Sequence, residues 1–152
     1  MKIRIEVAED GPEEIIIRCR ERTDQVKLIE SVVENILRGG SELSLTIGNR
    51  EYYVEKGDIL FLETYDGKVC AHTRDRMYQA DYKLFELEEI LPAYFVRISK
   101  SVIANVRLIS SLCRELTGNG EITFKGCDKT TYFSRGYYKM LKEKIEEVRF
   151  GK

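Results

Sequence analysis

The sequence predicts a mainly β protein, α+β overall, with antiparallel sheets flanked by short helices. Three observations predict it. From residue 43 onward apolar side chains recur with period two in many short runs, separated by turn chemistry at intervals of roughly 8–12 residues. Helical spacing is confined to three stretches, and the strand–helix–strand rhythm of a parallel sheet is missing, which excludes a Rossmann or flavodoxin-like fold. Nine tyrosines and no tryptophan suit pleated surfaces and require no cofactor.

The chain has 152 residues, room for one domain or a small domain with an appended segment. Hydrophobic residues make up 43% and charged residues 34%, a globular balance that argues against disorder. The longest uncharged apolar run, residues 90–96, contains Pro92 and falls far short of the roughly 20 residues of a spanning helix. Met1 leads directly into Lys2, Arg4 and Glu6, without the apolar stretch of a signal peptide. A cytoplasmic protein is expected. Net charge is −1, but residues 1–91 hold 13 Lys/Arg against 20 Asp/Glu, and residues 92–152 hold 12 against 6. Such a split points to a polyanion-binding face on an acidic body.

Residues 3–7 alternate, residues 14–19 contain Ile15-Ile16-Ile17, and Asp10-Gly11-Pro12 lies between them, so two short strands are predicted. Thr23 N-caps a helix to about Arg38, with Val26, Ile29, Val33 and Ile36/Leu37 at helical spacing and Gly39-Gly40 as its stop. This β-β-α unit, residues 1–42, is too small for a good core of its own. The chain therefore divides near 39–42 into this extension and a domain over 43–152.

In that domain Leu43, Leu45 and Ile47 form a strand, Gly48-Asn49 turns, and residues 52–54 return. Strands follow at 59–63, 69–72 and 77–80, the first two joined through an Asp66-Gly67 hairpin turn. Leu84, Leu87 and Leu91 mark a short helix stopped by Pro92. Further strands are predicted at 94–98, 108–116, 121–124 and 130–133, with a turn at Gly118-Asn119-Gly120. Ser134 caps a last helix whose stripe is Tyr138, Leu141, Ile145 and Val148.

Little of this supports enzyme chemistry. Cys19, Cys70, Cys113 and Cys127 are scattered and read as buried thiols; with His72 as the sole histidine, no metal-ligand spacing exists. His72 reads as a surface or core-edge imidazole, and Glu86, Glu88 and Glu89 as the wet face of their helix. No catalytic residue, metal or cofactor is expected, and no small-molecule substrate.

The basic half is more informative. In Phe95-Val96-Arg97-Ile98-Ser99-Lys100-Ser101 a strand ends in two hydroxyls around a lysine, a set suited to a phosphate or a base edge. Val102-Ile103-Ala104-Asn105 reads as a tight return in which Asn105 satisfies backbone groups. Ser134-Arg135-Gly136 opens the last helix. There Arg135 opposes the helix dipole at a cost of up to about 1 kcal/mol, which an external anion would offset.

These pieces, taken in order, resemble the LytTR DNA-binding family of bacterial transcription regulators. The segments carrying the resemblance are Asp58-Ile59-Leu60-Phe61-Leu62-Glu63, Lys68-Val69-Cys70-Ala71-His72-Thr73, and the 84–91 helix. They continue in residues 95–105, Gly120-Glu121-Ile122 and Ser134-Arg135-Gly136-Tyr137, the whole spanning roughly residues 43–148. The resemblance implies an elongated antiparallel fold of several small sheets whose end loops enter successive major grooves. It puts Lys100 at the base-reading position after F-x-R and Arg135 at the arginine before the last helix. Asp66-Gly67-Lys68 aligns with the first contact loop, shortened and without its histidine, and Ser99 replaces a frequent histidine. DNA contacts are thus expected from Lys68, Arg97, Ser99, Lys100, Ser101, Ser134 and Arg135.

Residues 1–42 are too few for the receiver domain of familiar relatives. The chain resembles stand-alone members, some of them encoded beside a small membrane protein that controls them. A homodimer or such a regulatory partner is expected to use the extension. The rival expectation, from another class, is a protein-interaction module whose acidic N-terminal half binds a partner and for which DNA is incidental.

Overall fold

A computed structural model describes residues 1–37 and 40–151. Two compact units divide the chain, Met1–Val33 and Glu34–Lys152. The division by compactness thus falls inside the first helix, ahead of the 39–42 break expected from the sequence; Arg38 and Gly39 lie outside the described residues.

The first unit corrects the sequence expectation. Residues 1–23 form no strand, and Ile3, Ile5 and Val7 are almost wholly exposed. A lone two-stranded hairpin is marginal in water, and among the described residues neither predicted strand joins a sheet. Helix α1, Asp24–Leu37, forms as predicted, with the Thr23 hydroxyl accepting the Val26 amide at 3.3 Å. Val26 is buried and Ile29 and Val33 half-buried, whereas Leu28, Val32 and Ile36 form a second, exposed apolar row.

The second unit holds two antiparallel sheets. Strands β1 (Glu42–Ile47), β2 (Arg50–Glu55), β3 (Phe61–Tyr65), β4 (Lys68–His72), β5 (Met77–Ala80), β6 (Phe95–Ser99) and β7 (Val102–Asn105) form the larger, in the order β2-β1-β5-β4-β3-β7-β6. Strands β8 (Ile109–Arg114), β9 (Gly120–Phe124) and β10 (Thr130–Phe133) form the smaller, in the order β10-β9-β8. Helix α2 (Leu84–Ile90) packs on β3, β6 and β7, and helix α3 (Tyr138–Phe150) on β6.

The large sheet is therefore covered on both faces over β3, β7 and β6, the strands at one side of it. Leu62, Ile103 and Phe95 join Leu84, Leu87 and Leu91 of the α2 region in one core. Val96, Ile98, Val102 and Ala104 join Ile122, Phe133 and Leu141 in the other. This explains a difference from the sequence reading. The segment taken for a tight return is strand β7, buried at all four positions. A strand buried on both faces has no polar alternation to betray it.

Two side chains lock the framework. Asn105 donates Nδ2 to Ile59 O at 3.0 Å and to Gly57 O at 3.3 Å, and its Oδ1 accepts the Arg107 amide at 3.0 Å. Buried Lys56, which the sequence reading overlooked, donates Nζ to Gly40 O at 2.7 Å and Ile90 O at 2.9 Å. The cysteines are all free, but Cys19 and Cys113 are exposed, against the expectation of buried thiols. Cys113 lies on β8, an edge strand with one face to solvent, and Cys19 in the strandless segment.

Candidate nucleic-acid interface

Strand direction brings three turns to one end of the large sheet. Strand β3 ends at Tyr65, paired with Lys68 across a turn in which Asp66 and Gly67 have φ of 52° and 74°. Positive φ at both central residues is the demand of a type I′ hairpin turn, which Asp-Gly meets at least cost. Strand β6 runs parallel to β3, because both are antiparallel to β7, so its terminal Ser99 and the Lys100-Ser101 turn lie at that same end. The Thr64 amide donates to Ser101 O at 2.8 Å and ties these two turns together. The third turn follows β10, where the Ser134 amide donates to Ile98 O at 2.9 Å. Lys68, Lys100, Ser101 and Arg135 are exposed there.

The other expected contacts, Ser99, Arg97 and Ser134, are less exposed. Ser99 is only 8% exposed, and its Oγ accepts the Ser101 amide at 3.2 Å, closing the turn. The Arg97 side chain is 23% exposed. Its Nε donates to Ser99 O at 3.0 Å, its Nη2 to Lys100 O at 2.6 Å, and its Nη1 to Glu88 of α2. Ser134 is half-buried and makes no side-chain cap. A short 3-10 turn, Arg135–Tyr137, comes first, and α3 starts only at Tyr138. The expected helix cap is thereby corrected, and with it the expected balance between Arg135 and the helix dipole. Arg135 stands a turn ahead of the α-helix, and its amide already has a partner, Asn119 Oδ1 at 2.8 Å.

Sequence reasoning missed what holds Arg135. The turn Gly118-Asn119-Gly120 had no assigned role beyond reversing the chain. Gly118 has φ of 92°, and a Cβ there would come within 2.6 Å of Arg135 Cδ and 2.7 Å of its Cγ. The arginine stem thus packs directly on Gly118, and a side chain there would push it aside. Gly120 is tighter still, since a Cβ would meet Cys113 O at 2.2 Å and the Phe133 ring at 2.4 Å. Paired glycines around an asparagine were the available signal, but only the fold shows what approaches them.

His72 lies at the far end of β4, away from these turns, with its side chain 12% exposed. Its ring stacks on Phe61 at 4.3 Å between centroids, and Nε2 meets Glu63 Oε1 at 2.9 Å, while buried Nδ1 has no partner among the described residues. Burial holds its pKa below the ordinary histidine value, with the Glu63 hydrogen bond acting in the opposite direction. Among the described residues no group of three or more His, Cys, Asp or Glu side chains could hold a metal ion.

Comparison with known proteins decides the family, because the LytTr DNA-binding domain matches residues 49–146. The chain belongs to the LytTr DNA-binding domain family. A Bacillus cereus structure described as the LytTr DNA-binding domain of a response regulator superposes with a TM-score of 0.65. It has 21% identity and covers 70% of this chain and 98% of its own, a likeness of fold. Among curated proteins, an uncharacterized HTH-type transcriptional regulator of Staphylococcus aureus strain bovine RF122 is 29% identical over 146 residues, 95% of this chain and 98% of its own length. Its counterpart in strain COL is 28% identical over the same span. In the LytTr chain described here, α2 and α3 are separated by five strands, β6 to β10, so they form no helix-turn-helix pair.

Proposed function

We propose that this LytTr-family protein is a cytoplasmic transcription regulator that binds double-stranded DNA sequence-specifically, through turns at the strand ends. One observation carries the reading: Lys68, Lys100 and Arg135 stand exposed on three turns gathered at one end of the sheet. Cations on short, fixed turns suit the major groove, where a bidentate or charged contact discriminates bases. Lys100 and Ser101 are the base-edge candidates, and Arg135 and Lys68 serve the backbone or an adjacent groove. A gel-shift titration against the DNA upstream of its own gene, repeated over a salt series, tests this. Binding that falls steeply with salt and prefers one duplex is expected. No retardation at low salt, or equal affinity for every duplex, overturns it.

The extension adds a second element to the reading: homodimerisation through residues 1–42. The exposed row Leu28, Val32 and Ile36, with Ile3, Ile5 and Val7, is apolar surface of the kind that marks an interaction site. Light scattering should give twice the monomer mass, and Val32→Glu should return a monomer. A monomeric wild type would instead favour the small membrane protein as occupant.

A further inference from the structure

Arg97 lies in the DNA-binding segment and carries a charge, yet its guanidinium is already committed. It donates to Ser99 O, to Lys100 O and to Glu88 Oε1, so all three nitrogens are engaged within the protein. The first two acceptors are consecutive carbonyls of the turn that bears Lys100. Holding both fixes the two peptide planes that flank the Lys100 Cα, and with them the direction in which the chain leaves Lys100. The strand is irregular at this point, with a register shift between Arg97 and Ser99. A bulge next to a functional turn re-aims the side chains that follow it, and here the guanidinium spans the distorted stretch. Lysine cannot replace it, because one ammonium lacks the planar fork that reaches carbonyls and carboxylate together. Glu88 holds the far side of the fork from α2, whose Leu84 and Leu87 are anchored in the core. The glutamate thereby connects the turn to a rigid element.

We infer that Arg97 and Glu88 are positioning residues that together present Lys100 to DNA, and that Arg97 does not itself contact the nucleic acid. The inference rests on the DNA-binding reading above. For Arg97 to reach a phosphate it would release Glu88 or leave a turn carbonyl without its donor, and either loss weakens the contact it would gain. The two roles also predict opposite behaviour for Glu88. As a positioning residue its neutralisation loosens the turn and costs selectivity. As a mere competitor for Arg97 its neutralisation frees the guanidinium and leaves selectivity intact.

The experiment compares wild type, Lys100→Ala, Arg97→Gln, Arg97→Lys, Glu88→Gln and the double variant Arg97→Gln/Lys100→Ala. Affinity is measured on the preferred duplex and on duplexes altered at the base pairs where Lys100→Ala loses discrimination, with a random-sequence duplex titrated over salt. Arg97→Gln should lower discrimination at those base pairs about tenfold, the scale of one lost base contact. The double variant should be no less selective than Lys100→Ala alone. Arg97→Lys should fail to restore selectivity, Glu88→Gln should lower it in the same base pairs, and the salt slope of Arg97→Gln on random DNA should equal wild type. Additive losses in the double variant, rescue by lysine, a salt slope reduced by about 1, or an equally selective Glu88→Gln would each overturn the inference. Glu88 is a partly exposed helix residue, so Glu88→Gln decides the matter even if Arg97→Gln impairs folding. A wild type that prefers no duplex would instead defeat the DNA-binding reading, a different outcome from selective binding that the Arg97 and Glu88 variants leave untouched.

Discussion

The Lys100 turn and the Arg135 loop each present one exposed cation at the same end of the sheet, but they are held by different means. Around Lys100 the grip is ionic: a guanidinium, two carbonyls and a carboxylate brought in from α2. Around Arg135 the grip is neutral: one asparagine amide oxygen and Gly118, on which the arginine stem packs, with Gly120 in the same turn admitting the Phe133 ring. Charge-assisted hydrogen bonds are stronger and more directional than neutral ones, whereas close packing on glycine depends on shape alone. The difference teaches that one fold fixes a cation either by adding side chains around it or by removing them beneath it.

The largest expected effect falls on the neutral side. Gly120→Val places new atoms against Cys113 O and the Phe133 ring, where neither backbone nor buried aromatic can yield. A loss of about 3 kcal/mol is expected, read from the midpoint of urea denaturation; an unchanged midpoint would break the comparison at its strongest point. Next come the cations. Lys100→Ala should cost about 1–3 kcal/mol on the preferred duplex and flatten discrimination at one or two base pairs. Arg135→Ala should weaken binding to all duplexes and, as a phosphate contact, reduce the salt slope by about 1. Both should melt like wild type, since exposed substitutions stay within roughly 0.5 kcal/mol.

Gly118→Ala is smaller and more pointed. A side chain at φ of 92° is strained, and its methyl would displace the Arg135 stem. Stability should fall by about 1 kcal/mol, and DNA affinity should fall with it, while discrimination at the Lys100 base pairs stays unchanged. Loss of that discrimination would mean that the two turns are not independently held.

The smallest effect is a pH dependence. The folded pKa of His72 is depressed by burial, so the unfolded chain binds the proton more readily. The stability contributed by the neutral ring is complete above about pH 6.5, the ordinary histidine value. It is lost as pH falls through the lower folded value. Melting temperatures should therefore decline below that pH in wild type, and His72→Gln should flatten this part of the profile. Glu63 on β3 pairs with Val102, which follows the Lys100 turn directly, so any coupling of pH to DNA binding is expected on the Lys100 side.

How much of this was legible in the sequence varied with the range of the interaction. Alternation revealed β1, β4, β5 and β9, because each has one face toward solvent. It failed at β7, where burial on both faces erased the pattern. It misled at residues 3–7 and 14–19, where the pattern is present but no sheet among the described residues receives it. Thr23 was legible as a cap because its partner is three residues away. Ser134 was misread because the 3-10 turn that follows it uses its carbonyl, from which the Tyr137 amide is 2.9 Å away. The exposure of Lys100 and Arg135 at the strand ends was legible from their place in the sequence. Glu88, which accepts from the Arg97 guanidinium, and Asn119, which accepts from the Arg135 amide, were not, because they lie 9 and 16 residues from those partners.

The Arg97 fork grips only main-chain oxygens at residues 99 and 100. Every amino acid offers that carbonyl, proline alone on a backbone of fixed φ, so the grip is indifferent to what projects from position 100. Exchange of that one side chain changes the tip without disturbing the handle. On the proposed reading of Lys100 as a base contact, a single substitution at position 100 would change the preferred duplex while leaving the fold as it is.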